Sequence, residues 1–222
     1  MNKFTQNALG LIADGNRRWA KSQKLPAFEG HKKGFEVVKE VVFRTLYDHP
    51  KWDTLAVYAF STENWKRSPL EVKNLMQLYT DMADHWGEEI LEKGCKFIHA
   101  GRKDRLPKKL VNRLIELEEK TIDNTKFRLV LCLDYGAQDE INRAVEAKGT
   151  DFQKALEVPP LDLIVRTGGE QRLSNFCLWQ AAYAELNFAP QKLPELTESE
   201  LTKILEEFAL RDRRKGGNTK KK

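Results

Sequence analysis

Three polar segments of this 222-residue chain combine residue types that a plain surface turn does not need. Asp14-Gly15-Asn16-Arg17-Arg18-Trp19 follows one short apolar run, and Ser61-Thr62-Glu63-Asn64-Trp65-Lys66-Arg67 follows a second. A third is followed by Arg166-Thr167-Gly168-Gly169-Glu170-Gln171-Arg172-Leu173-Ser174-Asn175. A guanidinium is a fixed fork of donors that matches phosphate oxygens two at a time. Arg17, Arg18, Arg67, Arg166 and Arg172 outnumber the carboxylates Asp14 and Glu185 that could neutralise them. Gathered in one place they would repel one another without a polyanion, and one doubly phosphorylated ligand, or better two, fits the deficit. A carboxylate beside phosphates serves a hard cation, since Mg²⁺ takes one or two carboxylates, phosphate oxygens and waters. Asp14 is the first candidate for that role. Glu185, an acid inside the apolar run AYAELNF, is the second.

The elements that would position these groups alternate between short apolar runs and longer helical patterns. Strand-like runs cover 8–13, 54–60, 95–100, 127–133, 161–166 and, more weakly, 184–189. Helical spacing of apolar residues covers 35–47, 68–94, 107–122 and 197–214, the second opening on Pro69 and stopping at Gly94. Fully apolar strands separated by helices read as a parallel sheet covered on both faces. Such a sheet places its ligand at the carboxyl ends of its strands. All three polar segments lie just after strands, as that rule requires.

Taken singly, each feature has a plainer reading. An arginine after a strand is commonly a surface ion pair, and Asp-Gly-Asn is a common turn. Trp19 and Trp65 read equally as core aromatics, His31 in EGHKKGFE as a residue just before a helix, and Asp81 and Asp84 as a solvated helix face. Their coincidence under one architectural rule points to a diphosphate- or nucleotide-handling α/β enzyme that uses Mg²⁺. Neither GxxxxGK[ST] nor a GxGxxG after a strand is present, which excludes the usual nucleotide loops.

Composition narrows the class further. The chain is 41% hydrophobic, with no linker-like stretch and no repeat, so one domain over residues 1–217 is expected. No apolar run approaches the roughly 20 residues of a membrane span, and MNKFTQNALG has no signal-peptide core. Cys95, Cys132 and Cys177 are too widely spaced for a metal site and read as free thiols of a cytoplasmic protein. The last twelve residues carry seven basic groups and one acid, so the net charge of +5 belongs to the tail and the rest of the chain stands at −1. A solvated, disordered basic tail at 218–222 is expected, and no nucleic-acid partner.

In chain order, DGNRRWA, EGHKKG, YAFSTENWKRS, LDLIVRTGGEQRLSNFCLWQAAYAEL and RDRRKGG resemble the cis-prenyltransferases, the undecaprenyl diphosphate synthase family. The resemblance runs from about residue 8 to 217. It implies an α/β fold with a central, mostly parallel six-stranded sheet, flanking helices and an apolar product tunnel, working as a homodimer. It implies condensation of isopentenyl diphosphate onto an allylic diphosphate, with farnesyl diphosphate as the expected primer, Mg²⁺ as cofactor and Z double bonds as the product geometry. A peripheral membrane contact for product release is a further expectation. Carried over by residue, Asp14 would hold Mg²⁺ and act in catalysis, with Glu185 as second metal ligand. Gly15, Asn16, Arg17 and Arg18 would cradle the allylic diphosphate, with Trp19, His31, Ser61, Thr62, Glu63, Trp65 and Arg67 completing that side. Asn64 occupies the position assigned as proton acceptor, although a neutral amide is a very weak base and a diphosphate oxygen could take the proton instead. Arg166, Arg172, Leu173 and Ser174 would clamp isopentenyl diphosphate, and Arg214 and Gly216 would reach the partner subunit's site.

Tunnel candidates are Leu75, Met76, Tyr79 and Met82, facing Leu131 and Leu133, with Ala59 keeping its side of the tunnel small. The chain departs from the family pattern at Pro26 and Ala27, where a basic residue is frequent and only Lys24 stands near. Gln171 replaces a common His, Gln138 an Arg, and the 142–160 segment is short. The rival reading, a non-catalytic subunit on the same fold, predicts loss of the strand-end acid and arginines, and this chain keeps them.

Overall fold

A computed structural model describes residues 4–213; the expected tail, and Arg214 and Gly216 with it, lie outside the described residues. The chain opens with β1 (Asn7–Ile12), α1 (Asn16–Ser22) and α2 (Ala27–Val37). The helix then continues through a π-helical stretch, Val38–Phe43, into α3 (Arg44–Tyr47). There follow β2 (Trp52–Ser61), α4 (Pro69–Glu92), β3 (Cys95–Ala100), α5 (Lys108–Lys120), β4 (Phe127–Tyr135), α6 (Ala137–Lys148), β5 (Leu163–Arg166), β6 (Glu185–Phe188) and α7 (Glu198–Ala209).

The six strands form one sheet in the order β3-β4-β2-β1-β5-β6, and every pairing is parallel. This is the expected architecture, with all of the sheet parallel. Alternation along β1 splits the core in two. Leu9 and Leu11 enter a large cluster with Phe43, Leu75, Ile90 and Phe127. Ala8 and Ile12 enter a smaller one with Tyr58, Tyr135 and Phe176. The strands that precede the three polar segments, β2, β1 and β5, are neighbours, and Ile12 pairs with Tyr58 on one side and Arg166 on the other. Their carboxyl ends therefore open side by side where the strand order reverses.

Two expectations need correction. EGHKKG does not precede a helix but lies within α2, which starts at Ala27. Gly30 and Gly34 lie inside that helix because it crosses α1 closely. A Cβ on Gly30 would stand 2.2 Å from the carbonyl oxygen of Asn16, and one on Gly34 2.1 Å from Asn16 Oδ1. The second is α6, which was not expected as a helix although Ala137, Ile141, Ala144 and Val145 recur at helical spacing. Among the described residues no helix is long and apolar enough to cross a membrane.

Candidate functional site: a polar rim above an apolar cavity

Asp14 stands two residues beyond the end of β1. Its Oδ1 accepts from the N–H of Gly15 at 2.6 Å and its Oδ2 from Arg166 Nη2 at 2.8 Å, with Arg18 Nη2 3.4 Å from Oδ1. Partial burial opposes ionisation of this carboxyl, but the Arg166 and Gly15 hydrogen bonds and the nearby guanidinium charges outweigh it and hold its pKa below the usual value. Thr167 locks the backbone here: its hydroxyl accepts from the Asp14 N–H at 3.0 Å and donates to the Asp14 carbonyl at 2.7 Å. Gly15 turns at φ 100, a left-handed conformation, and a Cβ there would collide with Lys192.

Arg166 is nearly buried and organises the segment that follows it. Its Nη1 donates to Ser174 Oγ at 2.9 Å and to the carbonyl of Arg172. Arg172 itself is largely exposed and pairs with Glu170 at 2.6 Å. Asn175 bridges three chain segments: its side chain donates to Glu63 at 3.0 Å and accepts from the Gln138 N–H at 3.0 Å, and its carbonyl accepts from the Ala137 N–H. Burial opposes ionisation of Glu63, but hydrogen bonds from Asn175, its own backbone N–H, Ser61 and Thr62 together outweigh it, so its pKa is lowered.

On the opposite side Glu71 gathers cations. It lies in the first turn of α4, where its backbone N–H donates to the capping hydroxyl of Ser68 and Pro69 takes the first helical position. Its Oε1 is 3.2 Å from Arg67, 3.8 Å from Arg17 and 3.8 Å from His31 Nε2. Burial, reinforced by the charges of Arg67 and Arg17, lowers the pKa of His31 to about 4, so the imidazole is neutral at pH 7. Glu71 was not marked in the sequence, although its Ser-Pro-x-Glu cap was an available signal, and Asn175 closes the third polar segment without an expected role.

Ser61 and Asn64 cap the short helical turn Thr62–Lys66 reciprocally, with Asn64 Oδ1 accepting from the Ser61 N–H at 3.1 Å. Trp65 lies away from the ligand space: its indole N–H donates to the buried Asp134 at 2.9 Å and its ring meets Phe60 edge-on at 5.3 Å.

A cavity of about 280 Å³ begins at this rim and runs into the large core cluster. Asp14, Asn16, His31, Ser61, Asn64, Arg67, Arg166 and Ser174 line its polar end. Ala59, Tyr79, Met82, Ala83, Trp86, Ile90, Leu117 and Leu131 are among those lining the rest. Of the expected tunnel residues, Leu75, Met76 and Leu133 are buried elsewhere in the core. Buried polar atoms of Asn16 (Oδ1), His31 (Nε2) and Arg166 (Nε) have no hydrogen-bond partner, and all three residues line this cavity. Unsatisfied buried groups are costly, and here they surround a space that a ligand could fill. A second hollow of about 660 Å³ adjoins it, sharing Asp14, Asn16, His31 and Arg67 and adding Gly15, Arg17, Arg18, Lys21 and Lys24.

Trp19, Thr62, Glu63, Arg172 and Leu173 line neither space, and Leu173 packs against the smaller core cluster. Glu185 is not brought to Asp14 within the chain. It opens β6 in register with Leu163, at the far end of β5 from Arg166, and pairs with Arg211 at 2.7 Å. The crossover 167–184 returns the chain to the amino end of the sheet before β6 begins, which a linear motif does not reveal. Among the described residues no three His, Cys, Asp or Glu side chains come together as a metal cage.

The family described as "Putative undecaprenyl diphosphate synthase" matches residues 12–216. An isoprenyl transferase of Thermotoga maritima is 39% identical over 225 residues, spanning 94% of this chain and 96% of its own. A trans,polycis-polyprenyl diphosphate synthase of Thermobifida fusca, specific for (2Z,6E)-farnesyl diphosphate, is 39% identical, with 94% and 80% covered. Among solved structures, lavandulyl diphosphate synthase of Lavandula x intermedia, in complex with dimethylallyl diphosphate, superposes with a TM-score of 0.86 at 31% identity, covering 94% of this chain and 97% of that one.

Proposed function

The chain belongs to the undecaprenyl diphosphate synthase family of isoprenyl transferases, and we propose that it condenses isopentenyl diphosphate onto an allylic diphosphate to give a Z-polyprenyl diphosphate. The observation that carries this reading is the continuity of the arginine-rich rim with the apolar cavity beneath it. A diphosphate ester of a hydrocarbon chain has one end for each.

Arg17, Arg18 and Arg67, with Asn16 and His31, surround the hollow assigned to the allylic diphosphate. Their charges stabilise the leaving group as the allylic C–O bond breaks and its carbon becomes cation-like. Arg166, Arg172 and Ser174 are assigned to isopentenyl diphosphate, whose double bond attacks that carbon and then loses a proton. Asn64 serves as a donor in this scheme, because its amide oxygen is already committed to the Ser61 N–H. The proton passes to a diphosphate oxygen.

Mg²⁺ is assigned to Asp14, an ionised, half-buried carboxylate at the rim that suits a hard cation. With one carboxylate from its own chain at this rim, diphosphate oxygens and waters would fill most of the shell, as is usual for Mg²⁺. The ion would add Lewis-acid stabilisation of the departing diphosphate. Farnesyl diphosphate is the proposed primer.

The apolar side chains of Leu178, Trp179, Tyr183 and Leu186 are exposed beside and on the edge strand β6. We assign this face to a second copy of the chain, in which Glu185 and the segment carrying Arg214 and Gly216 would serve. Cytoplasmic location and a membrane contact at product release complete the proposal. The test is incubation of the purified protein with farnesyl diphosphate, labelled isopentenyl diphosphate and Mg²⁺. Labelled lipid whose new double bonds are Z supports the reading, and no labelled lipid with any allylic primer refutes it.

A further inference from the structure

The end of α1 holds a lysine where helices favour glycine. Lys24 N–H donates to the Lys21 carbonyl at 3.1 Å and Leu25 N–H to the Ala20 carbonyl at 2.8 Å. This is the double hydrogen bond of a Schellman helix end, whose first residue past the cap must turn left-handed. Lys24 occupies that position with φ 58. Glycine takes such a conformation freely, whereas a side chain with a Cβ is strained.

The strained residue lines the outer hollow of about 660 Å³, together with Lys21 one helical turn earlier. The other cations there already have carboxylates: Arg17 and Arg67 face Glu71, and Arg18 faces Asp14 and Glu170. Lys21 and Lys24 have no carboxylate partner among the described residues. Ala27, on the first turn of α2, lines the same wall and contributes no charge.

We propose that Lys24, seconded by Lys21, binds the outer phosphate of the allylic diphosphate, and that the strain at the end of α1 is retained for this contact. The proposal rests on the prenyl-transfer reading above and adds two binding residues to it. The ammonium group acts as a point charge on the far side of the diphosphate from Asp14, reached once the ester enters the hollow. It takes no part in bond making.

The substitution Lys24→Gly separates the two roles because they have opposite signs. Relief of strain raises or preserves Tm, while loss of the ammonium raises KM for the allylic diphosphate about three- to tenfold. KM for isopentenyl diphosphate stays at the wild-type value, and Lys24→Arg retains the wild-type KM for the allylic substrate. Calorimetric titration with inorganic diphosphate, which needs no turnover, is expected to show the same loss of affinity in Lys24→Gly. Equal diphosphate affinity in wild type and Lys24→Gly, with Tm preserved, would overturn the proposal and leave Lys24 a solvated helix end. If the wild type makes no prenyl product yet diphosphate affinity still falls in Lys24→Gly, the prenyl-transfer reading fails and the anion contact stands.

Discussion

Arg166 donates from Nη2 to Asp14 Oδ2 at 2.8 Å across 152 residues of sequence, tying the carboxyl end of β5 to that of β1. The guanidinium is nearly buried while the carboxylate is partly open to the cavity mouth. One contact thus orients the acid, neutralises a buried cation and leaves the remaining faces of the carboxylate for a ligand. Asp14→Asn keeps the shape and removes the charge. It should lower turnover about 10²- to 10³-fold and Tm by a few degrees, with the circular dichroism of the fold unchanged. Wild-type turnover by this variant would remove Asp14 from the chemistry.

Acid should act in two steps. The pKa of His31 and of His99 is lowered to about 4 from 6.5, mainly by burial. The unfolded chain therefore binds protons that the folded one does not, and stability falls as pH drops from 6.5 towards 4. Asp14 is lowered below 3.8, so its contribution is complete above that value and is lost only at lower pH. Tm measured from pH 7 to 4.5 should decline, and His99→Gln should flatten the slope. A constant Tm over that interval contradicts the buried, neutral imidazoles.

Asn64→Asp distinguishes a donor from a base. The variant still offers an oxygen to the Ser61 N–H, loses the amide donor and adds negative charge beside the diphosphates. We expect kcat/KM to fall about 10- to 100-fold, in the range of one lost charge-directed hydrogen bond. A proton acceptor at this position would predict the opposite, because a carboxylate is the stronger base.

Gly34→Ala inserts a methyl group where Asn16 Oδ1 already sits. It should destabilise the protein by about 1–3 kcal/mol, the usual range for overpacking. KM for the allylic diphosphate should rise more than KM for isopentenyl diphosphate, because α1, which moves, carries Arg17 and Arg18. Equal effects on both would place the two substrates differently from the account above.

The parts legible in the sequence were those governed by local pattern. Apolar runs marked all six strands, and the rule that ligands gather at strand ends grouped Asp14, Ser61, Asn64, Arg67, Arg166 and Ser174, which line one cavity. What escaped depended on contacts between distant segments. Gly30 and Gly34 look like interruptions until Asn16 is seen packed against them. Trp65 sits among cavity residues in sequence, yet the turn Thr62–Lys66 rotates it onto Phe60 and Asp134. Glu185 follows the arginine clamp closely in the chain, but a crossover carries it to the other end of the sheet.

The central claim is that the polar rim and the apolar cavity form one site in which the hydrocarbon chain grows. Ala83 lines that cavity from α4, below Asp14 and Arg67 at its mouth. The most direct measurement is the chain length of product made by Ala83→Phe. The account predicts shorter prenyl diphosphates than the wild type makes, with KM for isopentenyl diphosphate unchanged. Wild-type product lengths from an Ala83→Phe enzyme that folds and turns over would contradict it.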